Sequence, residues 1–353
     1  MNPSRMTQMA ALGADWWNDS GVPAELAEAV SFGAVGATSN PVIVYQGIKS
    51  NPDKWFPVVD RIIAENPSDN EDEITWKLIA ELGRESAAQL TSVFERTRGE
   101  KGYLSIQVSA KNYAHRDRMV EQAVQLAALA PNVAIKAPAT EAGIAAMEEM
   151  TARGIRVNAT VSFSVAQAIS VAETLDRGLK RARAAGINPD TIRPYITLMI
   201  GRVDDQLKRV AEQKKIETTP GIIDWSGIAV FKNAHRIFRA RGYAGTLLAA
   251  AYRHEKHWSQ IIGRDVLQTI PYTWWKKFNV SETEPSLTLD QPVDDAILAE
   301  LRAKFPDFVC AHDERGMPVC DYVRYGATRH TLNQFLGGYA DLVSVVRNRM
   351  LPI

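Results

Sequence analysis

Short segments rich in small and β-branched residues alternate along the chain with longer segments of helical periodicity. This alternation is typical of β/α units that surround a parallel sheet. The short segments number eight, which is the number of strands that closes a β/α barrel. The predicted strands are residues 12–17, 34–38, 104–108, 133–137, 157–162, 195–200, 246–250 and 266–270. The predicted helices between them include residues 23–30, 73–90, 115–129, 141–153, 165–185 and 224–241.

A doubly wound open sheet is the alternative arrangement of such units. The sequence has no Gly-x-Gly-x-x-Gly turn after the first predicted strand and no Walker phosphate loop, so the barrel is favoured. Further helices are predicted at 294–304 and 330–347. We interpret residues 1–353 as one barrel domain, with residues 280–353 as a helical extension packed on it. A separate C-terminal domain is the other interpretation, but this segment is short for a core of its own and no flexible linker precedes it.

Charge and hydropathy exclude two classes of partner. The chain carries 41 basic and 41 acidic side chains, so no net charge attracts a nucleic-acid backbone. The longest nearly apolar run, around 246–252, is much shorter than the ~20 residues that cross a bilayer, and the N-terminus does not resemble a signal peptide. We expect neither a nucleic acid nor a membrane as partner. The only two cysteines, Cys310 and Cys320, favour a reducing cytoplasm over secretion.

Two segments contain residue types that bind metals. Residues 253–257, Arg-His-Glu-Lys-His, lack the His-Glu-x-x-His spacing that places two imidazoles on one helix face, so we interpret them as a loop after the seventh strand. Cys310, His312 and Cys320 have an irregular spacing that is unlike a zinc signature. The sequence predicts no metal site.

Lys136 is the most unusual residue in a predicted strand. The segment Val-Ala-Ile-Lys-Ala-Pro, residues 133–138, places an ammonium group in an apolar strand that should be buried. One interpretation is a structural lysine that pairs with a carboxylate. The other is a desolvated amine with a lowered pKa, which attacks a carbonyl carbon to form a Schiff base. Spacing alone does not decide between the two.

Three motifs in order resemble the transaldolase and fructose-6-phosphate aldolase family. They are Gly-Ala-Thr-Ser-Asn-Pro at 36–41, Ile-Lys-Ala-Pro-Ala-Thr-Glu-Ala-Gly at 135–143 and Gly-Ile-Arg-Val-Asn-Ala-Thr at 154–160. The resemblance covers about the first 275 residues in order. It implies an eight-stranded barrel with a Schiff-base lysine on the fourth strand, and Lys136 lies on the fourth strand predicted above.

The resemblance also assigns catalytic roles. Asp19 matches the family's aspartate that moves a proton to and from the substrate hydroxyl. Asp15 is the rival for this role, and a helix N-cap is the structural alternative for Asp19. Asn40 and Thr160 match residues that hold substrate hydroxyls and position the catalytic water. Without the motifs, they would be interpreted as a turn asparagine before proline and an ordinary strand threonine.

Two arginines match the family's phosphate site. Arg202 follows the sixth predicted strand and Arg253 follows the seventh, so both would lie at the barrel mouth, where forked guanidinium donors suit a phosphate. A surface salt bridge is the ordinary role of a single arginine at a strand end. The remaining residues that the resemblance assigns to substrate binding are Thr38, Asn158, Thr197 and Met199.

Three departures from the family pattern lie in the expected site. Gln107 replaces the glutamate by which transaldolases activate water, and the aldolases of the family also have glutamine there. A glutamine orients water but cannot take its proton. Met199 stands where transaldolases have phenylalanine and the aldolases a tyrosine acid, and Ala251 replaces a serine that helps to hold phosphate. Gln107 favours an aldolase and Met199 weakens that interpretation.

The resemblance therefore implies a Schiff-base enzyme that transfers a dihydroxyacetone unit from a ketose phosphate to an aldose phosphate. An aldolase that releases dihydroxyacetone is the alternative, and a catalytically silent barrel that binds sugar phosphates is a second one. The expected partners are small sugar phosphates. The reaction requires no cofactor, because the iminium takes the role of a Lewis acid. Family members associate through their helices, so a homo-oligomer is also among the expected states.

Overall fold

The computed structural model describes residues 4–351. Eight parallel strands pair in chain order, and β8 pairs with β1, so the sheet is a closed barrel. This confirms the predicted (β/α)8 fold. The strands are β1 Asp15–Asn18, β2 Gly36–Thr38, β3 Tyr103–Gln107, β4 Val133–Pro138, β5 Val157–Thr160, β6 Tyr195–Leu198, β7 Thr246–Ala249 and β8 Leu267–Ile270.

Helices surround the barrel and continue beyond it. Helix α1 Arg5–Ala11 precedes β1. The helices between the strands are α2 Pro23–Ser31, α3 Pro41–Ser50, α4 Pro52–Glu65, α5 Glu71–Gln89, α6 Thr91–Arg96, α7 Arg116–Ala127, α8 Glu141–Ala152, α9 Val165–Ala184, α10 Ile200–Lys214, α11 Ser226–Arg241 and α12 Lys256–Ser259. After β8 come α13 Tyr272–Asn279, α14 Asp295–Lys304, α15 Pro306–His312 and α16 Gly326–Met350. Within the described range 4–351, no helix is long and apolar enough to cross a membrane.

Several element ends differ from the prediction, among them the start of β1 and the end of β6. The predicted first strand began at residue 12, but α1 ends at residue 11 and Gly13 turns the chain at φ +82° before β1 begins. The predicted sixth strand ran to residue 200, where α10 already begins. At β1 the prediction missed the turn at residues 12–13. At β6 the apolar residues of a buried helix start and of a buried strand cannot be told apart over a few positions.

Aromatic side chains fill the N-terminal end of the barrel interior. Trp17, Tyr103 and Tyr195 are buried there, and the Arg156 guanidinium lies 4.0 Å from the centre of the Tyr103 ring. The guanidinium donates to the main-chain oxygens of residues 191 and 193. This packing leaves the C-terminal end of the strands as the place for a polar site.

The C-terminal helices pack against the barrel helices. Phe335, Leu342 and Val346 on α16 are buried in the same apolar core as the barrel residues. Near its N-terminal end, α16 passes close to the barrel mouth, where the exposed Gln334 accepts a hydrogen bond from Arg202. The extension therefore contributes a polar side chain beside the residues that follow β6.

Candidate active site

Lys136 projects from β4 and is 4% exposed. Its Nζ lies 3.5 Å from the main-chain oxygen of Ser39, which is a long hydrogen bond. Within residues 4–351 it forms no ion pair with a carboxylate. The structure therefore does not provide the salt bridge that a purely structural lysine was expected to have.

Asp19 follows β1 and points to the same end of the barrel as Lys136. Its Oδ1 accepts a hydrogen bond of 2.6 Å from the Thr38 hydroxyl. The Thr38 oxygen lies 2.6 Å from the Thr269 hydroxyl, which donates to it because the proton of Thr38 is already directed at the carboxylate. Thr38, which was predicted to bind substrate, is completely buried and donates the hydrogen bond to Asp19. Thr269, which the sequence analysis missed, completes this chain.

The protein environment shifts Lys136 and Asp19 toward their neutral forms. Burial lowers the pKa of Lys136, and the negative charge of Asp19 opposes this only in part. Burial raises the pKa of Asp19 against the opposing effects of Lys136 and the Thr38 hydrogen bond. An amine that loses its proton readily is a nucleophile, and a carboxyl group with a raised pKa can both take and return a proton.

The structure separates Asp19 from its rival, Asp15. Asp15 lies at the N-terminal end of β1 and pairs with Lys101, with 2.6 Å between Oδ2 and Nζ. It therefore faces away from the end that carries Lys136. The N-cap residue of α2 is Val22, so Asp19 does not serve as the helix cap that was its structural alternative.

Four more predicted residues lie near this end of the interior. Gln107 is 6% exposed, and its Oε1 has no hydrogen-bond partner in the described part of the chain. Asn40 caps α3, because its Oδ1 accepts from the main-chain nitrogens of residues 42 and 43 and only its amide nitrogen is left for a ligand. Thr160 is fully buried, with its Oγ1 3.9 Å from the sulfur of Met199. Gln107 Oε1 can therefore accept a hydrogen bond from water or from a substrate hydroxyl.

Asn158 and Thr197 are held by each other. The Thr197 hydroxyl donates to Asn158 Oδ1 at 2.7 Å, and Asn158 Nδ2 donates to the Ser105 hydroxyl at 2.9 Å. Asn158 pairs in register with Lys136 on the neighbouring strand. This hydrogen-bonded chain fixes the wall of the interior beside the lysine.

The two predicted anion-binding arginines meet at a third residue, Asp205. Arg253 Nε donates to Asp205 Oδ1 at 3.2 Å and Nη2 donates to Oδ2 at 2.8 Å, so the guanidinium binds the carboxylate in a bidentate manner. Arg202 Nη1 lies 3.9 Å from Asp205 Oδ2, and Arg202 Nη2 donates to Gln334. The buried Nε of Arg202 has no partner among residues 4–351. Asp205 thus aligns both cations and keeps their charges close together.

Gln167, on α9, connects the loops that follow β4 and β5. Its Nε2 donates to the main-chain oxygens of Ala139 at 3.1 Å and Val161 at 3.2 Å, and its Oε1 accepts from the nitrogen of Phe163 at 2.9 Å. Val161 has φ +52°, a left-handed conformation that is strained for a β-branched residue. These hydrogen bonds hold the strained loop that follows Thr160.

We expect the Gln167→Leu substitution to lower the free energy of unfolding by about 3 kcal/mol, because it leaves several buried main-chain groups without partners. The free energy of unfolding is measured by chemical denaturation of the wild type, of Gln167→Leu and of a control variant, all at equal concentration. Gln125→Leu, at an exposed position on α7, is the control and should change the stability by less than about 0.5 kcal/mol. Equal stabilities of the two variants would contradict the role given to Gln167.

With this geometry described, comparison with known proteins identifies the family. A sequence profile described as Transaldolase/Fructose-6-phosphate aldolase matches residues 16–312. The chain belongs to this family. The transaldolase/fructose-6-phosphate aldolase match spans all the barrel residues discussed above except Asp15, whereas Gln334 lies beyond it. The family predicted from the three motifs is confirmed.

Curated proteins named transaldolases are similar to more than half of this chain. The protein named Transaldolase from Thiobacillus denitrificans is 27% identical over 75% of this chain and 79% of its own length. The Transaldolase from Neisseria gonorrhoeae is 28% identical over 84% of this chain and 90% of its own length. Transaldolase 1 from Streptomyces avermitilis is 30% identical over 63% of this chain and 59% of its own length.

Proposed function

We propose that this protein is a transaldolase, which transfers a dihydroxyacetone unit from a ketose phosphate to an aldose phosphate in carbohydrate metabolism of the pentose phosphate type. The observation that carries the proposal is the position of Lys136. It is buried, forms no ion pair with a carboxylate within residues 4–351, and lies at the same barrel end as the Asp19 carboxyl group that Thr38 holds. The names of its relatives support transfer as the reaction.

The reaction begins when the neutral Lys136 amine attacks the ketone carbon and water leaves, which forms an imine, and the imine takes up a proton to become an iminium. Asp19 then takes the proton of the C4 hydroxyl while the C3–C4 bond breaks, and the electron pair of that bond moves to the iminium nitrogen. The aldehyde fragment leaves and the three-carbon unit stays on Lys136 as an enamine. Attack of the enamine on the acceptor aldehyde, with return of the proton from Asp19, forms the new bond.

Hydrolysis of the second iminium releases the product ketose and restores the lysine. In our proposal Gln107 and Thr160 hold the attacking water, since Gln107 Oε1, which has no hydrogen-bond partner among residues 4–351, can accept a hydrogen bond from that water. Gln107 cannot take a proton, so Asp19 is the acid–base group near the amine. Asn40, Asn158 and Thr197 would contact or align the substrate hydroxyls, and Met199 would form an apolar wall.

The substrate phosphate is assigned to the region between Arg202 and Arg253. Guanidinium groups suit a tetrahedral oxyanion because their N–H groups donate in parallel. The Asp205 carboxylate holds the two cations near one another before substrate arrives. We also propose a cytoplasmic location, which is supported by Cys310 and Cys320 being free thiols.

Acceptor dependence tests the proposal. The purified chain is supplied with fructose 6-phosphate, with and without erythrose 4-phosphate, and products are followed by mass spectrometry. We expect a seven-carbon ketose phosphate only when the acceptor is present. Free dihydroxyacetone without acceptor would instead assign the aldolase reaction, which Gln107 would suit. If no product formed, and if borohydride reduction left no covalent adduct on the protein, the chain would be a catalytically silent barrel.

A further inference from the structure

A cluster of one aspartate and two histidines, of which only His254 is partly exposed, lies beside the anion-binding arginines and has no part in the mechanism above. Asp204, on α10, and His257, on α12, are both completely buried, and His254 precedes α12. Asp204 Oδ2 lies 2.8 Å from His257 Nε2 and 3.0 Å from His254 Nε2. Three such groups within 4.8 Å of one another have the composition of a metal site or of a hydrogen-bonded network.

Hydrogen-bond directions favour the network. The main-chain N–H of Arg253 donates to His257 Nδ1 at 3.1 Å, so Nδ1 carries a lone pair. Burial lowers the pKa of His257, and a neutral imidazole has one proton, which must therefore be on Nε2. That proton is donated to Asp204. If His257 bound a metal through Nε2, its Nδ1 would carry the proton and donate a hydrogen bond. In this structure Nδ1 accepts one instead.

The Asp204 carboxylate connects several elements. Its Oδ1 accepts from the Ser226 hydroxyl at 2.7 Å and from the Gly227 nitrogen at 2.9 Å, both at the start of α11. Its Oδ2 accepts from the two imidazoles. Because Asp204 is only two residues after Arg202, the helix that carries the first arginine is linked through His257 to the main chain of the second.

The turn that carries Arg253 needs such support. Ala251 has φ +67°, a left-handed conformation that is unfavourable for a residue with a side chain. Gly201 allows this turn to pass close to α10, because a Cβ atom at Gly201 would lie only 1.8 Å from the Ala251 oxygen. A strained turn placed this closely keeps its shape only when neighbouring groups hold it.

We propose that His257 is a positioning residue for the anionic end of the substrate. It touches no substrate itself. Through the chain Asp204–His257–Arg253 it fixes the main chain of Arg253, and so places that guanidinium relative to Arg202. This inference rests on the proposed function, because it takes the two arginines as the phosphate site.

The test compares His257→Leu with His257→Gln. Glutamine retains an oxygen that can accept from the Arg253 nitrogen and an amide that can donate to Asp204, whereas leucine has neither. We expect His257→Leu to raise the KM for fructose 6-phosphate about tenfold and His257→Gln to stay within about threefold of the wild type. Borohydride trapping of dihydroxyacetone, which has no phosphate, should proceed at the wild-type rate in both variants.

The KM and the trapping rate distinguish a shift of the Arg253 guanidinium from a loss of protein stability. KM does not depend on the fraction of folded enzyme, and trapping with dihydroxyacetone counts the competent sites in each preparation. An unchanged KM in His257→Leu, or an equal loss with both compounds, would overturn the proposal. One zinc ion per chain retained after dialysis and lost in His257→Leu would also overturn it, since His257 would then be a ligand. A wild-type enzyme that forms no adduct and no product would instead overturn the proposed function.

Discussion

Replacing Lys136 by methionine is expected to lower the transfer rate by on the order of 10⁵-fold, because covalent catalysis is lost with the amine. The same substitution should leave the melting temperature unchanged or raise it. The amine is buried and has no carboxylate partner in the described part of the chain, and methionine fills a similar volume without the cost of desolvating a charge. Both effects are measured on one preparation, by a coupled transfer assay and a thermal melt.

Lys101→Met is the matched control. Lys101 pairs with Asp15 at the other end of the barrel, and this partly exposed ion pair contributes about 0–1 kcal/mol to stability. The control should keep its transfer rate within about twofold, since the substitution lies away from the reacting groups. Substantial transfer by Lys136→Met, or its complete unfolding, would contradict the assignment of Lys136 as an unpaired nucleophile.

Replacing Asp19 by asparagine is expected to slow transfer by about 10²- to 10⁴-fold, the range of a lost general acid–base step. The amide oxygen can still accept the Thr38 hydrogen bond, so the geometry of the site is retained. Lys136 should still form an adduct with dihydroxyacetone, because that reaction breaks no carbon–carbon bond. The transfer assay and borohydride trapping together distinguish the two steps.

Asp15→Asn controls for the loss of a carboxylate on the same strand. It removes the partner of Lys101 and should leave the transfer rate nearly unchanged. If Asp15→Asn slowed transfer as strongly as Asp19→Asn, the proton-transfer role assigned to Asp19 would be wrong.

The sequence was sufficient to predict the barrel, the position of Lys136 on its fourth strand and the family. It favoured Asp19 over Asp15, because residue 19 follows the end of the first predicted strand whereas residue 15 lies within that strand. The structure distinguishes them by the end of the barrel that each occupies. The roles of both residues, and of the other predicted site residues, remain predictions to be tested.

The contacts that the sequence did not indicate join residues far apart in the chain. Asp205 lies 48 residues from Arg253, and Gln334 lies 132 residues from Arg202. Neither has a local pattern that differs from an ordinary polar helix surface. The residues Arg-His-Glu-Lys-His were predicted to be a loop, but α12 begins within them at Lys256 and His257 faces a buried carboxylate. Such roles depend on tertiary packing, which spacing in one segment does not encode.

The central claim is that the Lys136 amine forms a Schiff base with the donor ketose. Its most direct test is peptide mass spectrometry after borohydride reduction in the presence of fructose 6-phosphate, with dihydroxyacetone in a parallel reaction. The account predicts a reduced three-carbon adduct on Lys136 in both reactions and on no other lysine. An adduct on a different lysine, or none with either compound, would contradict it.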